Sequence, residues 1–268
     1  MIRLKYKVCF IIMMYLIINQ KANSNDLKLA SYQSLYEISL DQDRKIKNPL
    51  GQTSIKKANG ELLIDWFDNC TSWVSNQRMF VNFINSNGVG TVSDINYSLN
   101  EAYNSKNMSF ALQVKQNNEV VEQFRGSGER ANNTSITLFD PKEENLEFSN
   151  EIIFPHEHLK KIIKHLGNDS GIVTYKVYEG SIPKNFLNIS SFINKESEKE
   201  KFKFPSGIEN RFWSVRMAYY EGESNTPQME LTAKINKQGI VSSFQYDYPE
   251  YSLHMKLKKI ELSNVLCD

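Results

Sequence analysis

Three of the four histidines, His156, His158 and His165, fall within Phe154 to Gly167 (FPHEHLKKIIKHLG), with Glu157 between the first two. Imidazole and carboxylate at this density are what a zinc site or a general acid–base pair would need. The same segment sets Leu159, Ile162, Ile163 and Leu166 at the i, i+3, i+4, i+7 spacing of an amphipathic helix over 155–166, with Pro155 suited to its first turn and Gly167 to its end. A helix keeps the imidazoles apart. Residues two apart point about 200° from each other, and residues seven apart share a face but lie roughly 10 Å apart along the axis. Zinc holds its ligands within about 2.1 Å, so these three do not meet on one ion without ligands from elsewhere. The segment reads as a polar helix face, and no metal is assigned.

Nucleophilic chemistry finds no better footing. There is no GxSxG elbow; Arg125-Gly126-Ser127-Gly128 sets a serine between glycines, but with no strand-to-helix turn around it, so a flexible hairpin turn is expected. Cys70 and Cys267 have neither a CxxC partner nor a local histidine, which favours a structural bridge over thiol chemistry. P-loop and dinucleotide fingerprints are missing as well. No catalytic residue and no cofactor is assigned, and the chain reads as a non-enzyme.

The elements that must position these residues belong to an exported, β-rich chain. Arg3, Lys5 and Lys7 precede an unbroken apolar run of 11 residues, Val8 to Ile18. That run is too short to cross a bilayer at roughly 20 residues per span, but it has the length of a signal-peptide core. Ala22 and Ser24 supply the small residues before a cleavage site, so 1–24 reads as a signal peptide that leaves with Cys9. Cys70 and Cys267 then remain, and in an oxidising compartment a bridge between them would enclose a ring worth about 5 kcal/mol in the loop-entropy model. The formal net charge of +1 is spread along the chain and forms no basic stripe, so nucleic acid is not an expected partner. The mixed-sign run Lys195 to Lys201 (KESEKEK) reads as a solvated loop.

Most of the chain alternates with period two. Leu62, Ile64 and Trp66 alternate with Glu61 and Asp65. Phe110, Leu112 and Val114 repeat the pattern, and Asn117-Asn118 then turns the chain into Val120 to Phe124. Met229, Leu231, Ala233 and Ile235 face one way, Asn236 to Gly239 closes a turn, and Ile240, Phe244, Tyr246 and Tyr248 return. Leu253, Met255 and Leu257 begin the last strand, whose inward pattern slips at Lys258-Lys259 before Ile260, as a bulge would make it do. Strands joined by short turns favour a meander that coils on itself.

The order of motifs along the chain resembles that of the EipB family of periplasmic envelope-integrity proteins. Leu29 to Leu40 (LASYQSLYEISL) is similar to the family's opening strand, and WFDNCTSW, with Trp66, Cys70 and Trp73, to its first cysteine and flanking aromatics. Asn118 to Gly126 resembles its central hairpin, Leu146 to Leu166 its single helix, and Tyr178-Glu179-Gly180-Ser181 its YDGS turn with glutamate in place of aspartate. Arg211 to Tyr220 and the terminal Cys267 complete the series.

This resemblance implies a mainly β fold: a spiral, open barrel-like antiparallel sheet over 25–268, two strand-rich halves joined around the helix. It implies a disulfide from Cys70 to Cys267 that pins the start of the spiral to its end. It further implies residence in the periplasm of a Gram-negative bacterium, no known enzymatic activity, and a functional link to a periplasmic tetratricopeptide-repeat protein. The leading expectation is a scaffold or interaction protein for envelope integrity. The alternative is a carrier of lipid or lipoprotein with an apolar cavity in the open barrel, and Trp66, Trp73, Phe110, Trp213 and Tyr246 are the candidate cavity or core aromatics.

Overall fold

The computed structural model describes residues 27–42 and 55–263. The expected signal peptide and Cys267 lie outside them. Among the described residues, fourteen strands form one antiparallel sheet, accompanied by one helix.

The chain enters this sheet in the middle. From β1 (Tyr32–Leu40) it steps outward through β2 (Ile55–Asp68), β3 (Ser72–Asn85), β4 (Gly90–Ala102), β5 (Asn107–Gln116), β6 (Glu119–Arg130), β7 (Thr134–Asp140) and β8 (Glu144–Phe148), each strand paired with its predecessor. The helix α1 (Pro155–His165) then carries it to the opposite edge. From there β9 (Gly171–Val177), β10 (Leu187–Glu198), β11 (Phe212–Glu221), β12 (Met229–Ile235), β13 (Val241–Asp247) and β14 (Ser252–Leu262) step back inward until β14 lies beside β1. The pairs from Tyr32↔Leu262 to Leu40↔Leu253 join the two halves.

The expected coiled meander is present, but its first and last strands form the centre of the sheet. Its free edges are β8 and β9. The segment between β8 and α1 meets β9 through one parallel bridge, in which Ile153 N–H donates to the Lys176 carbonyl (2.9 Å) and Tyr178 N–H to the Ile153 carbonyl (3.0 Å). A bridge from Cys70, in the β2–β3 turn, to a residue after β14 would therefore tie the centre of the sheet. It would leave the free edges unpinned.

Local sequence explains the turns and the slip. Asn117 and Asn118 both take positive φ (50° and 68°), which closes the tight β5–β6 hairpin. Leu35 pairs with Lys259 while Tyr36 pairs with Leu257, so Lys258 is the extra residue of a bulge that returns Ile260 to the core. Two expectations are corrected. The KESEKEK run is strand up to Glu198, exposed on both sides, with Glu198 paired to Lys234 at 2.8 Å and Lys195 to Asp169 at 2.9 Å. Arg125 to Gly128 is not a turn but the middle of β6, where Gly126 and Gly128 leave room for the ring of Phe110 and for Ile136 and Phe154.

The buried face of the sheet curls around α1. Tyr32, Ser34, Tyr36 and Ile38 of β1 meet Leu253, Met255, Leu257 and Ile260 of β14 in the central core. The apolar stripe of the helix, with Ile162, Ile163 and Leu166 buried, packs on Trp213, Val215, Ala233, Ile235 and Val241 from β11, β12 and β13. The C-terminal parts of β2, β4 and β12 meet α1 through Trp66, Glu101 and Ile235, so the helix plugs one end of the curled sheet.

Candidate functional site

The first turn of α1 is seated on the other half of the sheet. His156 is buried against the rings of Trp66 (5.5 Å between centroids) and Trp73 (5.2 Å), which themselves stack at 5.8 Å. These tryptophans flank the β2–β3 turn. Within it, Cys70 adopts φ 73° while Asp68 Oδ1 accepts its N–H at 2.7 Å, and Asn69 Oδ1 accepts the N–H of Ser72 at 2.8 Å.

Glu101 completes the seat from β4. Wholly buried, it accepts the backbone N–H groups of His156 at 2.6 Å and Glu157 at 3.1 Å, two of the donors that a helix start leaves unpaired. Phe154, at the capping position, has no side-chain acceptor to offer, so the cap comes from 53 residues earlier in the chain, counted to Phe154 from Glu101. Burial pushes the Glu101 carboxyl up to about 7, against the lowering pull of these hydrogen bonds.

The helix keeps its three histidines apart. His156 faces the tryptophans; His158 and His165 share the side that meets Tyr175 of β9, His158 edge-on at 5.7 Å and His165 Nε2 at 3.4 Å from the phenol oxygen. Burial lowers His156 to about 3, with Lys160 adding to the effect, and lowers His158 to about 4. Both imidazoles are thus neutral packing groups over the physiological range. Among the described residues, no three of His, Cys, Asp or Glu are gathered as a metal site.

The five aromatics singled out from the sequence do not converge on one cavity. Trp66 and Trp73 form the helix seat. Phe110, 3% exposed, packs with Leu99, Ile136, Leu138 and Tyr178 in a core of the first half. Trp213, 2% exposed, lies under the helix, its Nε1 donating to the Lys195 carbonyl at 3.3 Å. Tyr246 is half-buried between Phe244 and Tyr248 on the inner face of the second half.

An inward carboxyl escaped the sequence reading, although its residue stood in the YEGS turn. Glu179 is held there by Ser181, whose hydroxyl donates to Oε1 at 2.5 Å, while the Tyr97 hydroxyl donates to its backbone carbonyl at 2.6 Å. Burial raises the Glu179 pKa. Tyr97, Tyr219 and Tyr246 are raised too, first by burial and then by the Glu179 charge, Tyr246 to about 12. This is a tyrosine-rich inner wall with one acid, built for hydrogen bonding and packing more than for proton transfer.

Comparison with known proteins agrees with this architecture. The family model described as EipB-like matches residues 23–264. The chain is similar to the cell envelope integrity protein EipB of Brucella abortus (strain 2308), at 20% identity over 249 residues, covering 88% of this chain and 85% of that protein. It is also similar to the crystal structure of a beta-barrel-like protein of the DUF1849 domain of unknown function from Brucella abortus, with a TM-score of 0.79 and 17% identity, covering 88% of this chain and 99% of that one. That likeness in structure establishes the fold, and the family model spans the whole of the described sheet and helix. The chain belongs to the EipB-like family.

Proposed function

We propose that the protein supports cell-envelope integrity from the periplasm without enzymatic chemistry, acting as a scaffold or interaction protein. The observation that carries this reading is the fate of the groups that could have done otherwise. His156 and His158 are neutral and packed against aromatic rings, and Phe110 and Trp213 are consumed in separate cores. The name of the Brucella relative supports the envelope role, and the apolar leader read at 1–24 supports export. The bridge from Cys70 to Cys267 belongs to this proposal as a staple of the central strands, suited to an oxidising compartment. A periplasmic tetratricopeptide-repeat protein is the partner proposed.

The test is co-purification of the mature, oxidised protein from an envelope extract, with both proteins and lipids identified by mass spectrometry. Specific retention of a repeat protein, or of another envelope protein, is the expected result. An eluate holding lipid and no protein would replace this reading with that of a carrier. The half-buried, inward-facing Tyr97, Phe124 and Tyr246 on an open sheet are the observation favouring that second reading.

A further inference from the structure

A concavity of about 540 Å³ lies on the outer side of α1, at the end of the sheet that the helix plugs, between the helix and the β4–β5 and β6–β7 turns. Its wall carries Lys160, Lys161 and Lys164 from the helix, Lys106 from the β4–β5 turn, Arg130 from the end of β6, and a single carboxylate, Glu157. That carboxylate is already engaged by Arg130 and, at 3.5 Å, by Lys161. Lys160 Nζ reaches only the Tyr103 carbonyl at 3.5 Å, and Lys106 and Lys164 have no ion-pair partner among the described residues.

Arg130 is fixed in place. Besides Glu157, its Nη1 donates to the Ser105 carbonyl at 3.1 Å, and its guanidinium lies 5.8 Å from the Phe154 ring centroid. The lysines around it repel one another, offset in part by Glu157 and by the attraction of Lys160 to the buried Glu101, in a chain whose formal net charge is only +1. An anion entering the concavity relieves that repulsion. The volume suits a small molecule or a head group. Lysine presents a point charge with three rotatable donors, which matches the several oxygens of a phosphate.

We propose that this concavity binds a phosphate-bearing anion of head-group size. The assignment is independent of the scaffold and carrier readings, since either could use it. Two sources share the chemistry: the phosphate of an anionic phospholipid and a soluble phosphorylated compound.

The test uses the full mature protein in two arms at low salt: flotation with vesicles of phosphatidylglycerol set against phosphatidylcholine, and isothermal titration with pyrophosphate. Binding in at least one arm, weakening as salt rises, is expected. A triple variant, Lys106→Gln, Lys160→Gln and Lys164→Gln, should lose about a hundredfold in affinity, near fivefold for each charge removed. The control is Lys115→Gln, which lies about 30 Å from Lys106 along β5. Circular dichroism and the thermal midpoint establish that the triple variant is folded; if it is not, the single Lys164→Gln variant carries the test, with about a fivefold loss expected. Binding to vesicles alone assigns a lipid phosphate, and binding of pyrophosphate assigns a soluble one. No binding in either arm, or equal losses in the pocket variant and the control, overturns the proposal.

Discussion

The ring of Phe110 occupies the space that a side chain on Gly180 would need. A Cβ at position 180 would stand 2.2 Å from Phe110 Cδ2, and Gly180 has φ +80°, a conformation that L side chains rarely adopt. The contact joins β5, in the first half of the chain, to the turn that follows β9. The same ring rests against Gly126 on its neighbouring strand. Phe110 is therefore a wedge held between two glycines.

Gly180→Ala should cost about 2–4 kcal/mol, the sum of a left-handed backbone and an overpacked core. The urea midpoint measures it. Adding Phe110→Leu should recover part of the loss in a double-mutant cycle, because the smaller side chain vacates the clash. Strictly additive effects would show that the two residues do not compete for the same space.

Removing the distant helix cap should loosen the start of α1. Glu101→Ala leaves two buried N–H groups without their acceptor and is expected to cost about 1–3 kcal/mol. Hydrogen exchange at the amides of His156 and Glu157 should quicken more than at Ile163. Unchanged exchange at both amides would refute the capping role.

Acid should destabilise the fold through its buried histidines. His156 and His158 have native pKa values lowered to about 3 and about 4, so below an ordinary value of 6.5 the unfolded state takes up protons that the native state refuses. Their stabilising contribution is present above that value and is lost as pH falls toward 4, by an amount on the order of several kcal/mol. Stability measured by chemical denaturation across this range should show the slope, and His158→Phe should reduce it.

Glu101 works in the opposite sense. Its native pKa, raised to about 7 from an ordinary 4.5, means that the native state holds the proton more tightly than the unfolded chain. Its contribution is complete below 4.5 and is lost as pH rises through 7. Glu101→Gln should therefore flatten the decline in stability between these values while leaving the histidine slope in place.

Loss of the proposed bridge should lower stability without altering any binding activity. Cys267→Ser is expected to cost up to about 5 kcal/mol under oxidising conditions. The thermal midpoint and thiol titration report it. A variant as heat-stable as the parent would show that the cysteines do not staple the fold.

Much of this molecule was legible in its residues. Leu159, Ile162, Ile163 and Leu166 announced α1, because burial on one side of a 3.6-residue repeat leaves a stripe that no strand would show. The slip at Lys258 announced the bulge, because a one-residue insertion exchanges inward and outward faces. Asn117-Asn118 announced the hairpin by the backbone angles that asparagine tolerates.

Other features had no local signature. The glycines of Arg125 to Gly128 looked like a turn, since nothing nearby in sequence reveals that Phe110 and Phe154 fill the space over them. Glu101 drew no reading from the sequence, since its role as cap depends on a helix that begins with Pro155 far along the chain. By itself the sequence determined the alternation, the turns, the helix and the motif order that marks the family, all of which are written in neighbouring residues. Only the tertiary structure decided that β1 and β14 meet in mid-sheet, that the five aromatics part company into separate cores, and that lysines from two segments and an arginine from a third gather around one concavity. Those are contacts between distant segments, set by how the sheet curls around α1, and no short-range pattern in the chain encodes them.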